Sequence, residues 1–345
     1  MKLDYLVVGC GLAGIAFCEL LRKQNKSFAV FNDQSQQSSI VAAGLYNPVT
    51  LKRFTEVWEA QVQLDLAIPH YAELEQLLKV KIDYKLPILR RFTSIEEQNN
   101  WFNASDNPAL KPFLSEIIIK ENIPGIDAPF GFGEVLYGGR VDTDVLIDKY
   151  LRFLKKNNLL IDERFNYHNL VVHQKNLNYN NLQSKYIVFA EGFGVKQNPF
   201  FKNIPLNGTK GEVLEVEIPD LDIEVAVKSS VFLLPLGNQR YYVGATYNWH
   251  DKTNLPTDDG KEELIKKLKQ FVKLPFEVVN HRAGVRPTTV DRRPLVGAHS
   301  DYKNIFVLNG LGTRGVMIAP YIAKALFEFI ENGKPLPDEI NINRF

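Results

Sequence analysis

Only two cysteines occur among the 345 residues, Cys10 and Cys18, and none follows them. A disulfide framework is thereby excluded, a reducing compartment is expected, and no spacing of Cys or His suggests a metal centre. Charge of one sign is also lacking: 41 Lys and Arg against 40 Asp and Glu leave a formal net charge of +1. Such a chain has no overall field to draw nucleic acid or an anionic membrane. Long hydrophobic runs are missing as well. The longest early one, Tyr5 to Cys18, contains three glycines and is too short to span a bilayer. Asp4 interrupts a signal-type n-region and no small-x-small cleavage pattern follows Cys18, so a cytoplasmic location is expected. Repeats, low-complexity tracts and linker-like runs are absent too. The length predicts roughly two domains, and without a linker they are expected to be interwoven.

What is present begins with DYLVV, residues 4–8, closed by GCGLAG, residues 9–14, an apolar stretch to Arg22, and a second apolar run, SFAVF, at 27–31. Strand, glycine turn, helix and strand in about thirty residues make a βαβ unit on a buried parallel sheet. Residues 56–80 have helical spacing, and 81–137, with short strand-like pieces, prolines and a Trp101 segment, fit an antiparallel region. Asp142 or Thr143 caps a further helix, and KYIVFAEG, 185–192, is another buried strand ending in glycine. GEVLEVEI and RYYVGAT alternate as antiparallel strands, with a Gly237-Asn238 turn nearby. Residues 260–272 form an amphipathic helix with a solvated lysine face. The fold class is therefore α/β (α+β overall): a Rossmann-like dinucleotide domain from 1–80, 138–203 and 281–345, interwoven with an antiparallel-sheet substrate domain from 81–137 and 204–280.

GCGLAG fits G-x-G-x-x-G in its required place, after a strand and opening a helix. Gly9 permits the tight turn, Gly11 lets the backbone approach a pyrophosphate, and Gly14 lets helix and strand pack closely. The N–H groups around Leu12 and Ala13, at the positive end of the helix dipole, suit the phosphates. An acidic residue is expected at the end of the second strand to hold ribose. Here that strand ends Phe31-Asn32-Asp33, so either Asn32 or Asp33 makes the contact.

NAD and FAD share this fingerprint. The stretch from Ala283 to Pro320 contains Gly284-Val285-Arg286-Pro287, then Asp291 to Gly297 as D-x-x-P-x-x-G, then a strand and Gly310 to Gly315. It closely resembles the D-amino acid oxidase superfamily of FAD-dependent oxidoreductases. AAGLYNP, GGRVDTDVL, IVFAEG, GTKGEVL, FLLPL and YYVGAT fall in family order across nearly the whole chain. Glycine oxidase and its small-amino-acid relatives are similar through the GxRP segment and the YYVGAT-like strand. The oxidoreductase half of the bifunctional enzyme that processes the aminomethyl group of tRNA wobble uridine has a GLGSRG-AP signature, similar to GLGTRGVMIAP here; its methyltransferase half has no counterpart in this sequence.

The resemblance implies noncovalent FAD, since no cysteine follows Cys18 and no histidine lies between the glycine loop and His70. It implies cofactor contacts at Ala42, Ala43, Gly44, Tyr167, Ala190 and Gly192, and at Gly310, Gly312, Thr313, Arg314, Gly315 and Val316, where glycines let backbone approach the ring. It places Arg286 where relatives grip a substrate carboxylate, a task for a planar bidentate donor. Arg314 touches substrate, caps the flavin or holds its loop. Phe232 falls where relatives carry a substrate-contacting tyrosine; it either packs against substrate or belongs to the core. The implied activity is oxidation of the C–N bond of a small amino acid or secondary amine by hydride transfer to flavin N5. Oxidative removal of a carboxymethyl group from a modified tRNA uridine, and a flavin-binding scaffold without catalysis, are the alternatives. A small-molecule amine is the expected partner, with tRNA second. The oligomeric state is not encoded in any motif. No G-x-S-x-G elbow suggests acyl transfer, and the six histidines have no metal-ligand spacing.

Overall fold

The computed structural model describes residues 2–345. Its core is a sheet whose parallel strands follow the pattern read from the sequence. Lys2–Val8 lies between Phe28–Phe31 and Leu182–Phe189, all parallel, with Val8 opposite both Phe31 and Phe189. Leu160–Ile161 extends one edge, and Ile305–Asn309 adds a parallel neighbour beyond Leu182–Phe189. These strands read as continuous apolar runs because both faces are covered. Tyr5, Leu6, Val7, Val30, Ile187, Val188 and Val307 are wholly buried.

The glycine-loop helix, Leu12–Lys23, and the late helix, Gly315–Asn332, pack together on one face of this sheet. Glu19 sits in the buried stripe of the first and is answered by Arg22 and by the Tyr150 hydroxyl, 2.9 Å away. A buried carboxylate without such partners would be costly.

The second sheet is almost wholly antiparallel. Its strand order is Glu277–Arg286, Thr209–Glu217, Arg240–Gly244, Phe232–Gly237, Ala226–Lys228, Ile88–Arg91, Phe132–Val135 and Leu114–Ile119, with one parallel pairing between Ala226–Lys228 and Ile88–Arg91. Glu277–Arg286 crosses residue 281, so the strand carrying Arg286 is an edge of this sheet, while the chain rejoins the parallel sheet at Leu295–Ala298 and Ile305–Asn309. The two sheets share the chain by alternation.

Three local readings differ from expectation. The Trp101 segment is a helix, Ile95–Ser105, capped by Ser94 accepting from the Glu97 N–H, with Trp101 buried against Phe54 and Phe92. Trp101 is its one buried large side chain, while Ile95 and Phe102 are exposed, so no apolar stripe reveals it by periodicity. The hairpin turn is Asn238-Gln239, both at positive φ (50° and 60°), as a two-residue type I′ connection requires; Gly237 ends the preceding strand. The amphipathic helix spans Asp258–Leu268 with Thr257 as its cap, starting two residues early.

The late helix starts at Gly315 with Pro320 inside it. Pro320 has no N–H, so the carbonyl four residues before it, that of Val316, loses its intrahelical donor. The buried Tyr71 hydroxyl, from the helix Ala60–Leu78, donates to that carbonyl at 2.8 Å. Glu331, near the end of the same helix, accepts from the Tyr5 hydroxyl and pairs with Lys26. Tyr71→Phe leaves the Val316 carbonyl buried without a donor. The expected loss is about 1–3 kcal/mol, read as a lower urea midpoint at unchanged m-value.

Candidate functional site

A long cleft runs from the carboxyl ends of the parallel strands to the inner face of the antiparallel sheet. In open α/β sheets this end is where ligands bind. Gly9, Gly11, Leu12 and Ala13 line it. Gly9 has φ +100°, and a Cβ there would lie 2.4 Å from the Ala190 carbonyl oxygen, so loop and strand touch backbone to backbone. Gly14 lies behind the loop rather than on the cleft: a Cβ on it would meet the Gly9 carbonyl oxygen at 2.1 Å. Among the described residues the N–H groups of Ala13 and Gly14 reach no acceptor, and that of Leu12 reaches only Ser39 Oγ at 3.5 Å. Unpartnered donors at a helix start, beside a backbone with no side chain in the way, suit a diphosphate.

Asn32 and Asp33 both line the cleft. The Asp33 carboxylate accepts from the N–H and hydroxyl of Ser35 at 3.0 and 2.7 Å, whereas the Asn32 amide has no partner among the described residues. Ala42, Ala43 and Gly44 form the next wall. Three side chains pin this segment by its carbonyls: Tyr242 to Val41 at 3.2 Å, Thr143 to Ala42 at 3.2 Å, and Arg140 to Ala43 at 3.2 Å. Tyr167, Ala190 and Gly192 line the same half, and Gly312, Thr313, Arg314, Gly315 and Val316 line the opposite wall. Gly310 does not reach the cleft; at φ +78° it packs on Leu295 and Thr289.

The cleft is electrically polarised. Its acids, Asp33, Glu163 and Glu191, gather at the half near the glycine loop, where Arg164, bonded to Gln197, is the one cation among the described lining residues; Lys52, Lys228, Arg286 and Arg314 line the other half, and none of these four makes an ion pair among the described residues. Arg314 is largely buried, and desolvation pulls it down to about 10, so it stays charged at neutral pH; its hydrogen bond is to Thr50 Oγ1 at 2.8 Å. Arg286 donates to the Thr246 carbonyl at 3.3 Å, with its guanidinium 4.8 Å from the centre of the Tyr247 ring. A Cβ on Gly211 would lie 1.9 Å from Arg286 Nη2, so the absence of a side chain at 211 makes room for the guanidinium. Phe232 lines the cleft on the same sheet face. Cys10 lines it too, but burial pushes its thiol up to about 12, which keeps it protonated and unreactive.

Glu191, Lys228 and Thr50 were not singled out by sequence, and Lys52 stood out only as a basic residue near an aromatic, in Lys52-Arg53-Phe54. Glu191 had a signal, a carboxylate directly before the glycine that ends a buried strand. It accepts from the Tyr167 hydroxyl and from Asn198 Nδ2 (2.8 Å), while burial, aided by Asp33, pushes its carboxyl up to about 7. No group of three or more His, Cys, Asp or Glu could hold a metal ion among the described residues.

The fold and cleft define a dinucleotide-binding protein of two interleaved sheets. Residues 4–329 match the FAD dependent oxidoreductase family, DAO, and the chain belongs to it. The glycine oxidase of Bacillus subtilis (strain 168) is 25% identical over 364 residues, covering 96% of this chain and 94% of that protein. A tRNA 5-methylaminomethyl-2-thiouridine biosynthesis bifunctional protein of Idiomarina loihiensis is 29% identical over 130 residues, 36% of this chain and 21% of that one. The crystal structure of glycine oxidase from Geobacillus kaustophilus superposes with a TM-score of 0.79 at 18% identity, covering 97% of this chain and 96% of that chain. The chain is thus a glycine oxidase-like member of a family of FAD-dependent enzymes. No helix among the described residues is long and apolar enough to cross a membrane.

Because the Glu191 pKa is raised from 4.5 to about 7 in the folded chain, its share of stability is full below about pH 4.5 and is lost as pH rises through 7. The cofactor-free protein is expected to melt at a lower temperature at pH 8 than at pH 6. Glu191→Gln should shrink that difference in a thermal melt.

Proposed function

We propose that this chain oxidises the C–N bond of a small amino acid or secondary amine, held by its carboxylate at Arg286. The observation that carries this reading is a guanidinium facing the cleft with a carbonyl and an aromatic ring beside it and no acid to neutralise it. A carboxylate supplies the missing charge through two parallel hydrogen bonds. FAD, when bound, supplies the acceptor for the hydride that leaves the carbon next to nitrogen.

The chain's own part is to bind and orient. The glycine loop and the open donor of Ala13 would hold the diphosphate, Asn32 the ribose, and the pinned 42–44 segment with 312–316 the ring. Arg314, a desolvated positive charge on the cleft wall, would favour negative charge on a bound ring or substrate. Gly211 and Gly244 leave a low floor in the antiparallel sheet, and Phe232, Val213 and Tyr242 wall it with apolar surface that keeps water from the amine. On this reading the parallel sheet belongs to the FAD unit and the antiparallel one to the substrate unit. Uncharged amine geometry, rather than an acid–base pair, then sets the rate.

A second reading, oxidative removal of a carboxymethyl group from a tRNA uridine, is favoured by Tyr247 and Trp249. Tyr247 lines the cleft yet is 61% exposed, and Trp249, 47% exposed, lies two residues on. Open aromatic faces stack on splayed bases. The chain spans only about a fifth of the bifunctional relative it matches, so this activity stands second.

The test is anaerobic bleaching of the bound flavin by glycine, N-methylglycine and carboxymethylaminomethyl-uridine. Bleaching by the amino acids supports the first reading, and bleaching by the nucleoside alone supports the second. Flavin that stays oxidised throughout favours a scaffold. Arg286→Met should raise KM for the reactive amino acid about 100-fold and leave the protein yellow. Gly211→Ala, which crowds the guanidinium without removing it, should raise KM less.

A further inference from the structure

The cationic half of the cleft has more charge than one carboxylate needs. Arg286 reaches from the edge strand over Gly211 on the next strand. Across the same face come Gly244 and then Phe232, opposite one another, and then Lys228 opposite Phe232. The Lys228 ammonium sits 4.8 Å from the Phe232 ring centre and makes a long hydrogen bond, 3.4 Å, to the Ser230 carbonyl. The guanidinium lies over the second strand, two residues along from the row made by Val213, Gly244, Phe232 and Lys228, and the ammonium lies over the fourth; two strand spacings and two residue rises put them about 12 Å apart.

The charged groups acting on Lys228 are Arg90, Lys267 and Lys52, all cations. Arg90 is paired with Glu97 and Lys267 with Glu263. Lys52, two residues after the Thr50 that holds Arg314, lines the cleft as well and has no ion-pair partner among the described residues. With burial, these like charges pull Lys228 down to about 8. A half-buried lysine beside a second unpaired lysine, both open to a cleft with no acid at that end, is a site for an anion.

We propose that Lys228 and Lys52 form a second anion subsite, so that the substrate is an amino acid whose nitrogen substituent ends in a carboxylate or phosphate. This rests on the reading of Arg286 as the holder of the first carboxylate. The two anchors place the amine between them, over the glycine floor, and an amine with a short neutral substituent fills only the Arg286 end.

The test compares N-(4-carboxybutyl)glycine with its neutral counterpart N-pentylglycine, by KM for anaerobic flavin reduction in the FAD-loaded protein. The expected preference for the anionic probe is about tenfold, and Lys228→Gln should collapse the ratio toward one. N-(2-phosphonooxyethyl)glycine separates the two anions: a larger preference than for the carboxylate assigns the subsite to phosphate, a smaller one to carboxylate. Lys52→Gln, at an exposed position that folding does not need, should lower the same ratio by a smaller factor. Equal use of the charged and neutral probes by the unaltered protein, or a ratio unmoved in both variants, overturns the subsite alone. Failure of every probe, with glycine and N-methylglycine also inert, overturns the Arg286 reading and the subsite together.

Discussion

The whole cleft hangs on a backbone contact. Gly9 lies against the Ala190 carbonyl and Gly14 against the carbonyl of Gly9, at separations where any Cβ would collide. These contacts set the angle at which the first helix leaves the sheet, and so where its open N–H groups point. Methyl groups there would tilt the helix and lose the donors together. The late helix, packed beside the first on the same face, is fixed by Tyr71 filling the vacancy that Pro320 leaves at Val316.

The charge gradient along the cleft is the second organising feature. Acids at one end suit the hydroxyl and amino donors of a nucleoside, and cations at the other suit carboxylates and reduced flavin. A chain of net charge +1 builds this field locally: opposite charges elsewhere are consumed in pairs such as Arg90 with Glu97 and Arg282 with Asp144, and the four cations at the far half of the cleft are left over. Burial magnifies what remains, because little water screens it.

Much of this was legible from residue order. The glycine loop, the buried parallel strands and the glycine-arginine turn each depend on local spacing, and the resulting elements lie where the spacing put them. Arg286 was visible through its GxRP neighbours. What local spacing conceals are relations across strands. Nothing around Lys228 in VKSSVF marks it as facing the cleft, because its significance comes from Phe232 beside it and from Lys52, far off in sequence. The Trp101 helix is hidden for a similar reason: one large aromatic, not a periodic stripe, fastens it. Glu331 reads as a solvated helix residue until the fold brings Tyr5 and Lys26 to it.

The pairing of strands has a consequence for biosynthesis. The first strand, made at the outset, has as its parallel neighbours Phe28–Phe31 and Leu182–Phe189, and the strand after which Arg314 turns inward is Ile305–Asn309. Thr50 waits for Arg314 across 264 positions. During translation at roughly 5–20 residues per second, the nascent chain therefore holds a finished glycine loop for many seconds with no opposite wall. Cofactor capture belongs to the end of synthesis, and the half-built cleft, with apolar sheet faces uncovered, is the species that chaperones would meet.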